Sequence, residues 1–137
     1  MRNTERVACN YDGLFAGEVA EPISIVVADS QTIKRGDLLE CAVTESVSGA
    51  NITRTIGTSF SKPSAVADIK NIYVIAATDI TTETGETGKK VSVYDRGVFN
   101  AGAVTFGGAS TATQNFLPLL AHGIILKDAQ DGTVSAT

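Results

Sequence analysis

Apolar positions along this chain come in short runs with a period of two, broken by glycine and charged turns, and a helical period shows once. From Pro22 the residues Ile23, Ile25 and Val27 alternate with Ser24, Val26 and Ala28, which predicts a strand with one firmly apolar face. Lys34-Arg35-Gly36-Asp37 then supplies a turn in which glycine can take positive φ, and residues 38–43 are expected to continue as a second strand. Residues 72–80, IYVIAATDI, are continuously β-branched, aromatic or small, the pattern of a strand covered on both faces. After a polar loop at 81–90, Val91 and Val93 resume alternation. Val98-Phe99 and residues 103–106 extend it across an Arg-Gly turn and an Asn-Ala-Gly turn.

Between Thr44 and Asn71 the pattern weakens. Ser-Gly-Ala-Asn at 48–51, Gly57 and Lys62-Pro63 mark turns around a strand at 52–56, whose face of Ile52, Arg54 and Ile56 makes a poor core candidate. Residues 1–17 show no sustained period and carry turns at Asp12-Gly13 and Ala16-Gly17, so they read as an N-terminal arm and not as core. The expected organisation is an arm at 1–17, a β-rich domain at 18–127 and a short tail at 128–137.

The single helix signal lies near the end. Thr111 with Gln114 three residues on resembles a capping box, Ala112, Phe116, Leu117 and Leu120 can share a face, and Gly123 stands where a C-terminal cap would. Pro118 conflicts with it, because a proline inside a helix removes a backbone donor and clashes with the preceding turn at a cost of about 3 kcal/mol. Either the helix kinks there or it starts near Asn115, with Pro118 in its first turn. Residues 124–126 then return to the sheet.

Composition narrows the function classes. A chain of 137 residues with 43% hydrophobic residues is one domain that can bury a core without metal or disulfide staples. A net charge of -4 argues against a binder of phosphate backbones, which needs clustered Lys and Arg. Lys34-Arg35 and Lys89-Lys90 read as solvated turn charges. Nothing approaches the run of about 18 apolar residues that spans a bilayer, and the first residues lack the apolar segment of a secretory signal, so synthesis in a cytoplasm is expected. Cys9 and Cys41 fit neither a zinc pattern nor a CxxC pair and are expected as free thiols, Cys41 buried in an apolar run.

Catalytic equipment is sparse. His122 is the one histidine, so it has no histidine partner for a metal site, and a Ser or Cys triad would have to use it. Capping or packing at the helix C-terminus is its simpler role. Residues 128–132, DAQDG, lack the alternating acids and closing Glu of a calcium loop. Gly97, Gly102, Gly107 and Gly108 match no phosphate-cradling spacing. Asp79, Glu83, Glu86 and Asp95 could be paired on paper for acid-base work, and no role is assigned to them. Five Phe, three Tyr and no Trp provide poor stacking platforms for sugars or single strands. No catalytic residue, cofactor site or metal site is expected.

The order of elements resembles that of the phage lambda-type head decoration proteins, small proteins on the outside of tailed-phage capsids. The likeness rests on the Lys34-Arg35-Gly36-Asp37-Leu38-Leu39 turn, the run 72–80, the segment 91–100 (VSVYDRGVFN) and the closing helix into Gly123-Ile124-Ile125-Leu126. It covers residues 23–126, with the region 44–71 lacking a clear counterpart. The resemblance implies a compact, mainly β, β-barrel-like (β-tulip-like) single domain with one short helix and an extended N-terminal arm. It also implies a structural virion protein, not an enzyme, that binds the major capsid protein of the expanded shell. Binding would be as homotrimers at threefold and quasi-threefold sites, without direct contact to nucleic acid or membrane. By position in the arm, the alternating Val7, Cys9 and Tyr11 are the expected capsid-binding residues, adding a strand to a capsid-protein edge. Two alternatives stay open: another virion or surface β module (spike, fibre or carbohydrate-binding domain), and a small hydrolase using Cys41 or Cys9 with His122.

Overall fold

The computed structural model describes residues 13–127. Its centre is an antiparallel sheet in the order β1 (Ile23–Val26), β8 (Lys90–Tyr94), β6 (Ile72–Ala76), β3 (Leu38–Cys41). Because successive side chains on a strand point to opposite faces, β6 divides its residues between two cores. Tyr73 and Ile75 join Leu38, Tyr94, Phe99, Leu119 and Ile124 on one face. Val74 and Ala76 join Val27, Ile33, Leu39, Val91 and Val93 on the other. A strand buried on both faces explains the unbroken apolar run at 72–76.

That run does not continue as one strand to residue 80. Ala77 N–H still donates to Ser92 O, but Ala77 O accepts from Arg35 Nη1 at 2.9 Å and leaves the ladder. The chain bends, and β7 (Ile80–Thr81) pairs instead with β2 (Thr32–Ile33) over the second core. The predicted face of the first strand is also only partly buried: Val27 is fully enclosed, Ile25 half-buried and Ile23 exposed, because β1 lies at the sheet edge.

Over the first core lie β9 (Gly97–Asn100), the helix α1 (Ala112–Leu120) and β10 (Ile124–Lys127). Strands β9 and β10 pair in parallel, a geometry that requires a long crossover, and α1 supplies it. So residues 124–126 return to a separate two-stranded sheet and not to the central one. Residues 103–106 do not prolong the alternation either: Ala101–Ala103 form a 3-10 turn capped by Asn100, and Thr105 makes an isolated bridge to Asp37. The helix begins where its capping box predicts, with Thr111 and Gln114 bonded reciprocally, and Gly123 at φ +87° follows its end. Pro118 therefore sits inside the helix, not in its first turn. The carbonyl of Gln114, which loses its usual donor to Pro118, lies on the exposed side where water can serve it.

One further departure from the sequence reading, and one element it placed correctly, bear on binding. Residues 13–17 were expected in the arm, yet Leu14 is 2% exposed and belongs to the first core. Asn100 N–H donates to Leu14 O at 2.8 Å and Ala16 N–H to Val98 O at 3.0 Å, so 14–16 lies antiparallel beside β9 through an isolated bridge at Phe15. The strand at 52–56 is real and has a partner: β4 (Val43–Ser48) and β5 (Asn51–Ile56) form a hairpin turning at Gly49, φ +62°. Its side chains are exposed throughout apart from Val43. Among the described residues the sheets close into no barrel; the domain is mainly β with one helix.

Candidate functional site

The Lys34-Arg35-Gly36-Asp37 corner is a structural knot. Gly36 at φ +96° brings the backbone so close to Ala103 that an added Cβ would lie 2.7 Å from its carbonyl oxygen. Asp37, buried, accepts from Lys34 N–H at 2.9 Å and pairs with Lys62 Nζ at 3.6 Å. Arg35 donates its N–H to Asp79 Oδ1 at 2.8 Å and Nη1 to Tyr94 Oη at 3.0 Å. Its guanidinium also lies 5.6 Å from the centroid of that ring. Arg35 is therefore not a solvated turn charge; it ties three segments of the body together. Lys89 is an exposed turn charge, pairing with Glu86 and donating to Thr81 O at the surface.

Among the described residues, His122, Cys41, Tyr73 and Glu86 are each held in structural contacts. His122 Nε2 lies 2.9 Å from Ile69 O, and its ring packs beside Tyr73, so it secures the 66–70 segment against the end of α1. Cys41 is buried against the backbone of Gly57, and that burial pushes its thiol up from the usual range, which disfavours a nucleophilic thiolate. Tyr73 donates to Glu40 at 3.0 Å and accepts from Asp68 N–H at 2.7 Å; burial, above all, raises its hydroxyl too. Glu86 is held below the usual carboxylate range by the Glu83 N–H, which donates to it at 2.9 Å in an exposed turn. Among the described residues no three His, Cys, Asp or Glu side chains group as metal ligands, and no helix is long and apolar enough to cross a membrane.

Two of the glycines that match no phosphate motif, Gly107 and Gly108, have packing roles. A Cβ on Gly107 would come 2.6 Å from Pro63 O, and one on Gly108 2.5 Å from Ser64 O. Only glycine lets the 63–65 segment lie against this loop. Asn115, with no solvent exposure, then holds the segment from the other side through the Ala67 N–H.

What remains are surfaces suited to contact. A cleft of about 460 Å³ opens between residues 18–21 and the starts of β9 and β10, with Glu18, Glu21 and Arg96 around Val19 and Ile125. A second, of about 470 Å³, lies between α1 and β10, lined by Phe116, Leu117 and Leu126. The hairpin adds Val47, Ile52 and Ile56, all largely exposed. In the sequence the 52–56 strand makes a poor core face because Arg54 stands between Ile52 and Ile56, and no signal there pairs it with 43–48. Val7, Cys9 and Tyr11 lie outside the described residues, as does the tail at 128–137.

Comparison of the chain with protein-family models, with curated proteins and with solved structures finds no match.

Proposed function

We propose that this protein is a structural virion component that binds the outside of an expanded phage capsid. In this reading it sits as trimers at threefold and quasi-threefold sites and stabilises the shell through contacts with the major capsid protein. The open arrangement of small sheets around the central one is taken as the β-tulip-like form that the resemblance implies. The observation that carries the reading is how the chain enters the body. Leu14 is buried, Phe15 stacks on Phe99 with centroids 4.9 Å apart, and 14–16 pairs with β9. A chain anchored this way hands an upstream segment to a neighbouring surface from a fixed point, which lowers the ordering cost of docking. On the shell, Val7, Cys9 and Tyr11 would occupy one face of an added strand, with backbone hydrogen bonds supplying affinity. Many copies on one lattice make modest individual contacts sufficient.

The test is pelleting with expanded, DNA-free shells and with unexpanded precursor shells. Saturation near one copy per capsid subunit on expanded shells alone is expected. Removal of residues 1–12, which leaves Leu14 and Phe15 in place, should abolish binding without unfolding the body. Wild-type protein that stays in the supernatant would refute the proposal.

A further inference from the structure

We infer that the β4–β5 hairpin is an intersubunit clasp, laid by one copy of this chain across the 66–70 segment of the next. The inference rests on the trimer reading above and adds the contact that builds it. The hairpin register puts Val43 opposite Ile56, Glu45 opposite Arg54 and Val47 opposite Ile52, so these six side chains share one face. The other face carries only Thr, Ser and Asn. Val47, Ile52 and Ile56 are 68%, 60% and 59% exposed, yet a lone two-stranded hairpin is marginal in water and gains from cover.

The same chain offers a surface of matching character. Ile69 is 61% exposed and Val66 40%, and between and beside them Asp68 and Lys70 form a loose pair at 3.9 Å. Each patch thus combines exposed aliphatic side chains with one acid and one base. Arg54 engages Glu45 through Nε at 2.6 Å, which leaves its terminal nitrogens for an outside carboxylate. Set against a second copy, Arg54 meets Asp68 and Glu45 meets Lys70 while the aliphatic groups cover one another. The two patches are different surfaces, so the contact is heterologous and repeats from copy to copy. They also adjoin on one molecule, since Val43 N–H at the hairpin base donates to Asn71 Oδ1 at 3.0 Å. A heterologous contact builds a ring where the rotation between copies closes, as the trimer reading requires.

Carbodiimide coupling joins a carboxylate to an amine in direct contact. An equal mixture of isotopically heavy and light chains, treated at high concentration and again on expanded shells, should give a mixed heavy–light Glu45–Lys70 peptide. Exchanging the hairpin charges (E45R with R54E) or the segment charges (D68K with K70D) keeps each internal pair. Either exchange should abolish that link, because the reactive carboxylate–amine pair is gone and like charges meet in its place. All four substitutions together should restore cross-linking, now joining position 54 to position 68. No mixed peptide from the wild type, or no recovery in the four-site variant, overturns the clasp. Wild-type binding to shells without the Glu45–Lys70 link defeats the clasp alone; the link without shell binding defeats the capsid reading alone.

Discussion

Asn115 Oδ1 accepts from the Ala67 N–H at 2.8 Å, joining the first turns of α1 to a loop that carries no regular structure. The same side chain donates to Thr111 O at 2.7 Å and Ser110 Oγ at 3.0 Å, so a fully buried amide is satisfied on both ends. Replacing Asn115 by Ala leaves the buried Ala67 N–H without an acceptor and opens a small void. Chemical denaturation should show a loss of about 2–4 kcal/mol. A loss under half a kcal/mol would mean that the loop finds another acceptor at little cost.

Phe15 tests where the body begins. It meets Tyr94 edge-on at 4.7 Å and lies over Phe99 while only partly buried, so Phe15→Ala should cost about 1–3 kcal/mol in the same assay. Residues 1–12 should be removable without that loss. If both changes were silent, 13–17 would belong to the arm after all.

Pro118→Ala should raise stability by about 1–3 kcal/mol, because it restores a helix donor toward Gln114 O and removes the ring clash. The ring is half-buried, so the gain stays below the full proline penalty if the ring also packs. Thermal melting at fixed protein concentration measures the balance. A fall in melting temperature would show that packing of the ring dominates.

Closing the chain from Val43 to Ile56 with Asn-Gly in place of residues 44–55 should shift the melting temperature of dilute protein little. The hairpin strands pair with each other, and only Val43 is buried. A large drop would show that the hairpin supports its own body.

Cys41 and Tyr73 both have their pKa raised, chiefly by burial, so both hold their protons more tightly folded than unfolded. That contribution is complete below the unfolded values and is lost as pH rises through the folded ones. Stability should therefore decline from about pH 8.5 upward and more steeply beyond about pH 10. Cys41→Ala should flatten the first part of the decline. Urea midpoints measured across this range would reveal an unchanged slope if Cys41 were not the cause.

Much of the fold was legible along the chain because the signals are local. The 72–80 run reads as a doubly covered strand from its composition, and Tyr73 to Ala76 are buried, although the strand ends at Ala76. Thr111, Gln114 and Gly123 mark both ends of α1 because caps are chemistry between residues three or four apart. The candidate binding surface was hardly legible. Ile52, Arg54 and Ile56 were set aside as core, and nothing in periodicity says that Val43–Ser48 would pair beside them and project.

The sequence by itself determined that strands lie near 23–27, 38–41, 52–56, 72–76 and 91–93, that Thr111 and Gly123 are cap residues of one helix, and that Gly36 turns the chain. Those outcomes depend on side-chain alternation, capping and φ, which neighbours in the chain decide. Only the tertiary structure decided that 14–16 lies beside β9, that β10 joins β9 in parallel, and that Arg35 draws the Ala77 carbonyl out of the ladder. Each of these links residues far apart in sequence. Such pairings are selected by the total apolar area they bury and the backbone groups they satisfy, and no local pattern encodes that sum.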